Sequence, residues 1–215
     1  MAADTAADTG VAIPMTRLVI ASSNAGKVRE FRQLLAPLNL AIEAQPEGLD
    51  VEETGVTFAE NARLKASAVA QATGEWALAD DSGLSVDGLG GAPGVHSARY
   101  ADSDSARIAR LLRELALAET STGHPNRQAH FAAALALADP SGRIQLEVEG
   151  RCQGVILEAP RGAGGFGYDP VFLVPDVGLT FAEMDGPLKG QIGHRGRAFA
   201  QLAPALLQLL GRQSA

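Results

Sequence analysis

The chain has 215 residues, 46% of them hydrophobic, enough to bury a core as one domain or as two lobes of one domain. Its formal net charge of -7 argues against a general nucleic-acid or anionic-membrane surface, so any anionic ligand must meet a local basic pocket or a metal. One cysteine, Cys152, excludes an intramolecular disulfide framework and a multi-cysteine zinc site and fits a reducing, cytoplasmic setting, and no segment is apolar for long enough to span a bilayer.

Residues 1–15 include Asp4 and Asp8, lack the basic and apolar regions of a secretory signal, and read as a disordered leader to one domain over 16–212. An apolar run at 18–21, stopped by Ser22, Ser23 and Asn24, precedes apolar positions at Val28, Phe31, Leu34, Leu35 and Leu38, which predicts strand, capping loop and helix. A second strand at 40–44 leads through an acidic loop at 50–55 to an alanine-rich helix, capped by Thr54 or Thr57, reaching Ala72 and closed by Gly74. Residues 76–79 read as a buried strand that ends at Asp80, Asp81, Ser82 and Gly83, and 88–94 read as loop. An amphipathic helix follows at 105–117 with Ile108, Leu111, Leu112 and Leu115 inward, then a polar connector at 119–127. Strands are expected at 129–138, 144–148 and 155–157, separated by turns at 139–142 and 150–154. A glycine loop at 162–167 feeds a strand at 171–174, and a last helix covers 197–210. Helices and strands alternate early and strands cluster late, so the fold class is α/β with a mixed sheet.

Fifteen arginines stand against three lysines, Lys27, Lys65 and Lys189, and each lysine lies in a run suited to phosphate. Ser22, Ser23, Asn24, Ala25, Gly26 and Lys27 join a strand to a helix, where free N–H groups and the positive end of the helix dipole face an anion. This is not a Walker A loop, because Ala21 and Val28 stand where that pattern needs glycine and Ser or Thr. Taken alone, Asn24 reads first as a plain helix cap. Asp80 and Asp81 end a strand at its carboxyl edge, where open α/β sheets bind ligands. Neighbouring strand residues face opposite ways, so one carboxylate points into the cleft, and Asp81 is the choice. Glu52 and Glu53 add loop carboxylates, which read either as a solvated acidic loop, the commoner fate of such a pair, or as part of an oxygen-only donor set that suits Mg²⁺ bridging substrate phosphates. The glycines Gly162, Gly164 and Gly167 match GxGxxG, but a strand rather than a helix follows, so the dinucleotide reading fails. They instead let backbone approach a flat ligand, with Phe166 to stack on it and Asp169 to accept a hydrogen bond, or they form a tight turn around a core Phe166. His194 and Arg195 put a titratable ring and a donor fork near Lys189. His96, His124 and His130 show no metal spacing.

Taken in order from Arg17 to Leu210, SSNAGKVREF, FAENARLKA, LADDSGLSVDGLGGAPGVHSARYA, GGFGYDPVF and HRGRA resemble the inosine triphosphate pyrophosphatase family, also called dITP/XTP pyrophosphatases. The resemblance implies a homodimeric, Mg²⁺-dependent enzyme with an elongated, two-lobed α/β fold and an active-site cleft between the lobes. It further implies hydrolysis of ITP, dITP and XTP to the monophosphate and pyrophosphate. By position, residues 22–27, Lys65 and Lys189 resemble triphosphate contacts, and Ser82 a further substrate contact. Asp81 resembles the base and metal ligand, with Glu52 or Glu53 as the second metal carboxylate. Phe166, Gly167, Tyr168, Asp169, His194 and Arg195 resemble the base-recognition set. The chain departs from the usual pattern at Gly193, where a serine commonly precedes the His-Arg pair. A nucleotide pyrophosphatase of other base preference and a non-catalytic nucleotide-binding regulator are the competing readings.

Overall fold

In the computed structural model, which describes residues 16–211 apart from 39 and 125, the first apolar run forms β1 (Arg17–Ala21), buried beyond its first residue. The expected leader at 1–15 lies outside the described residues. Asn24 caps α1 (Ala25–Leu35), whose Val28, Phe31 and Leu35 are buried, and β2 (Ala41–Ala44) follows. Thr57, not Thr54, caps α2 (Phe58–Thr73) through a reciprocal capping box with Glu60, and Gly74 ends it at φ 68°.

The mixed sheet expected from the sequence has seven strands among the described residues. β1 lies between β2 and β3 (Trp76–Val86) with both pairings parallel. Beyond β3 the order is β4 (Gln128–Ala138), β5 (Ile144–Ile156), β6 (Phe172–Val174) and β7 (Leu179–Thr180), all antiparallel.

Several boundaries differ from the sequence reading. The strand expected to stop at Ala79 runs on through the two aspartates to Val86, because β4 pairs with it from Ala77 to Val86. The turn expected at 150–154 is absent, and β5 is one strand. Its glycines serve close packing instead: a Cβ on Gly150 would fall on the His194 carbonyl oxygen and Ala198 nitrogen, and one on Gly154 on the Phe172 ring. α3 (Asp104–Thr122), capped by Ser103, takes in part of the expected connector. α4 (Gly186–Ile192) and β7 have no counterpart in the sequence reading, and α5 (His194–Gly211) begins at the His-Arg pair.

Three apolar clusters share the long central strands. One joins Leu78 and Leu135 to α1 and α5; the second joins Ala77 and Ala79 to α2 on the opposite face. The third surrounds the far end of β3, from Leu84 onward, with α3, Phe131, Phe172 and Phe181. Residues 80–82 lie where the three meet. The α2 seam consists mainly of alanine: Ala62, Ala66 and Ala70 face Ala77, Ala79, Ala134, Ala136 and Ala138. Among the described residues no helix is long and apolar enough to cross a membrane.

Candidate active site

Pairing between β1 and β3 stops at Ala21 and Ala79, while β3 continues with β4 on its other side. One edge of β3 is therefore open at Asp80, and its carbonyl oxygen points into the gap. Two lysines converge there: Lys27 Nζ donates to it at 3.4 Å and Lys65 Nζ at 2.9 Å. Strand alternation sends Asp80 to the face covered by α1 and α5 and Asp81 to the face covered by α2. The pair is thereby divided by the sheet, and each carboxylate has its own cations.

On the α1 side, Asp80 Oδ2 meets Lys27 Nζ at 2.8 Å and Arg195 Nε at 3.3 Å, and it accepts from Ser82 Oγ at 3.0 Å. Arg195 also donates to Ser82 Oγ at 2.7 Å and to Glu30 Oε2 at 2.9 Å. Lys189 bridges Glu30 Oε1 at 2.7 Å and Asp169 Oδ2 at 2.6 Å, and Asp169 accepts the Phe166 N–H at 2.9 Å. Burial opposes ionisation of Asp80, but Arg195 and Lys27 outweigh it and hold the carboxyl well below the usual range. Glu30 is lowered for the same reason, burial yielding to Arg195 and Lys189. Burial depresses Lys27, against the pull of Asp80. A cavity of about 560 Å³ opens beside this cluster, lined by Glu30, Leu34, Pro187, Lys189, His194 and Arg195 among others.

On the α2 side, Lys65 Nζ meets Asp81 Oδ1 at 2.8 Å and Glu53 Oε1 at 2.9 Å, and Glu53 Oε2 accepts from Arg99 at 2.5 Å. Asp81 Oδ2 accepts from Asn61 Nδ2 at 3.2 Å. Burial raises the Asp81 pKa against the opposing Lys65 charge, whereas its neighbour Asp80 is driven down; two adjacent acids are thus pushed apart in ionisation. Among the described residues no three His, Cys, Asp or Glu side chains form a metal cage. Two carboxylates turned toward one ammonium are nevertheless the donor set that suits Mg²⁺, which takes one or two protein carboxylates and fills its shell with water and phosphate oxygens.

Residues 18–205 match the model of the Ham1 family. This chain belongs to that family. Similar proteins include the dITP/XTP pyrophosphatase of Prochlorococcus marinus (strain MIT 9313), 63% identical over 92% of this chain and 94% of the relative. The dITP/XTP pyrophosphatase of Synechococcus sp. (strain CC9311) is 62% identical over 90% of this chain and 91% of its own. A HAM1 protein from Coxiella burnetii superposes with a TM-score of 0.80 at 42% identity, covering 90% of this chain and all of that one, 100%. The Staphylococcus aureus Ham1 protein gives 0.75 at 38% identity over 89% of this chain and 98% of that one.

Within this Ham1-family chain the residues singled out from sequence fall into distinct settings. Lys27, Lys65, Asp80, Asp81, Ser82, Lys189, Arg195 and Glu53 come together, whereas Glu52 is exposed. The N–H groups of Gly26 and Lys27, expected to be free for an anion, are taken by Asn24 Oδ1 at 2.9 and 3.2 Å, so Asn24 is a helix cap here. Ser23, Asn24 and Ala25 are exposed, and Ser22 Oγ accepts the Asn24 N–H. Phe166 covers the loop: a Cβ on Gly26 would lie 2.8 Å from its ring, and Lys189 Nζ sits 5.0 Å from the ring centre. The Gly167 N–H is held by Asp104 at 2.7 Å, and Tyr168 is buried with its hydroxyl on the Ser97 carbonyl at 3.0 Å. His194 is buried in a ring stack with Phe131 at 4.8 Å and Phe181 at 5.9 Å. Gly193 ends α4, its N–H returning to the Lys189 carbonyl at 2.9 Å. Glu30, Asn61 and Arg99 were not anticipated from sequence. Glu30 lies three residues after Lys27 and Asn61 four before Lys65, spacings that put each on its lysine's helix face.

Proposed function

We propose that the protein hydrolyses non-canonical purine nucleoside triphosphates (ITP, dITP and XTP) to the nucleoside monophosphate and pyrophosphate. The observation that carries this reading is the convergence of Lys27 and Lys65 on the Asp80–Asp81 step from opposite sides of the sheet. In phosphoryl transfer, positioning and neutralisation of charge dominate, and ammonium groups at a carboxylate-lined edge supply both. Asp81 and Glu53 would hold Mg²⁺, which supplies charge neutralisation and polarises a bound oxygen. Lys27, Lys65 and Lys189 would take the phosphate oxygens in exchange for their present carboxylate partners. Asp81 would also take the proton of the attacking water, with charge neutralisation by the surrounding cations carrying most of the rate. Phe166 would stack on the base. His194, Arg195 and neighbouring backbone would satisfy the 6-oxo group of hypoxanthine or xanthine.

A 6-amino group in that position leaves a buried donor facing a donor, which a polar site rejects by roughly 10⁴ or more. A pyrophosphate-release assay over ITP, dITP, XTP, GTP, ATP and modified pyrimidine triphosphates, with product identification, tests both chemistry and base preference. Comparable kcat/KM for ATP and ITP would sink the selectivity argument, and no release from any of them would sink the reading itself. The working form on this reading is a cytoplasmic homodimer.

A further inference from the structure

Asn61 has no role in the chemistry just described, yet it is fully buried and bonded at both ends of its amide. Its Oδ1 accepts the Gly55 N–H at 2.8 Å, and its Nδ2 donates to Asp81 Oδ2 at 3.2 Å. Gly55 stands two residues after Glu53, so one side chain ties the loop carrying Glu53 to the strand carrying Asp81. Packing leaves little slack in that tie, since a Cβ on Gly55 would lie 2.6 Å from Asn61 Oδ1. With Oδ2 of Asp81 pinned, Oδ1 is the oxygen that shares Lys65 with Oε1 of Glu53. A side chain that merely closed the helix entrance would need only the Gly55 bond. The bond to Asp81 requires a donor, which an amide has and a carboxylate lacks.

We infer that Asn61 is a positioning residue that sets the spacing and aim of the Glu53 and Asp81 carboxylates as a divalent-cation pair. The inference rests on the pyrophosphatase reading. Partners that orient metal-binding carboxylates from behind contribute about tenfold to a hundredfold in metal affinity or activity when removed. Asparagine rather than aspartate is needed, because a carboxylate there would face Asp81 with like charge.

The test uses Mn²⁺ alone, titrated into the full chain without nucleotide and followed by electron paramagnetic resonance. Asn61→Leu, which keeps the number of side-chain heavy atoms and removes both polar groups, should weaken Mn²⁺ binding about tenfold or more and raise the Mg²⁺ concentration for half-maximal turnover by a similar factor, with kcat recovering at high Mg²⁺. Thr57→Ala unties the same helix end without touching Asp81 and should leave Mn²⁺ affinity unchanged. Equal weakening in both variants would mean that Asn61 acts only through the fold, and wild-type Mn²⁺ affinity in Asn61→Leu would also overturn the proposal. Should Asn61→Leu fail to fold, the wild-type Asn61 side-chain amide decides by nuclear magnetic resonance: slow exchange and a shift on adding Mg²⁺ support the role, while free exchange or no shift refutes it. A wild-type protein that releases no pyrophosphate fails the functional reading instead, a result separate from either of these.

Discussion

Replacing His194 by leucine tests the ionic state of the buried cluster through stability alone. The ring is 2% exposed, lies nearly parallel to Phe131 at 13°, and neither ring nitrogen has a hydrogen-bond partner among the described residues. Burial, reinforced by Arg195, drives its pKa well below the ordinary value, so the folded protein keeps it neutral. In the unfolded chain it titrates near pH 6.5. A lowered folded pKa means that the unfolded state binds the extra proton, so the associated stability is intact above about pH 6.5 and is lost as pH falls. Between pH 7.5 and 5.5 that loss is about 1.4 kcal/mol, or roughly 3–6 °C in Tm for a chain of this size. Melting curves for wild type and His194→Leu at both pH values read it directly, because other groups cancel in the difference. The variant should lose less Tm on acidification by that amount. Equal losses in the two proteins would show that the imidazole takes up its proton in the fold, and the argument would fail.

Asp80→Ala strands Lys27 and Arg195 without their buried partner and should cost about 3–5 kcal/mol in urea unfolding; a cost below about 1 kcal/mol would mean that solvent reaches the pair. Gly150→Ala forces a methyl onto the α5 backbone and should destabilise by about 1–3 kcal/mol, whereas an unchanged midpoint would show that α5 shifts freely. Asp81→Asn should melt close to wild type yet abolish pyrophosphate release, and retained turnover would remove Asp81 from the mechanism.

Much of the site was legible because its signals are local. The divided aspartates follow from strand alternation, and the lysines stand out against an arginine-rich background. Glu30 was hidden because an acidic residue on a helix next to a lysine looks like an ordinary solvated face until Arg195, 165 residues away, is folded against it. The break expected at 150–154 failed because glycine marks both turns and close backbone contact, and only α5 distinguishes the two. α4 escaped notice because it is 7 residues long, too short to show a period, and opens with Gly186 and Pro187. The loop was read correctly as a strand-to-helix step, and of its two readings the plain Asn24 cap is the one that holds, with the Gly26 and Lys27 amides occupied rather than free for an anion.

The alanine seam has a consequence beyond filling space. Methyl-thin side chains let α2 lie low against the strands, and the height of that helix decides whether Lys65 reaches the open edge at Asp80. Enlarging Ala66 or Ala136 to valine would lift the helix and carry the ammonium outward, and a displacement near an ångström can cost on the order of 10²-fold in rate. Positions that never meet a nucleotide would then be as intolerant of bulk as the charged groups they serve.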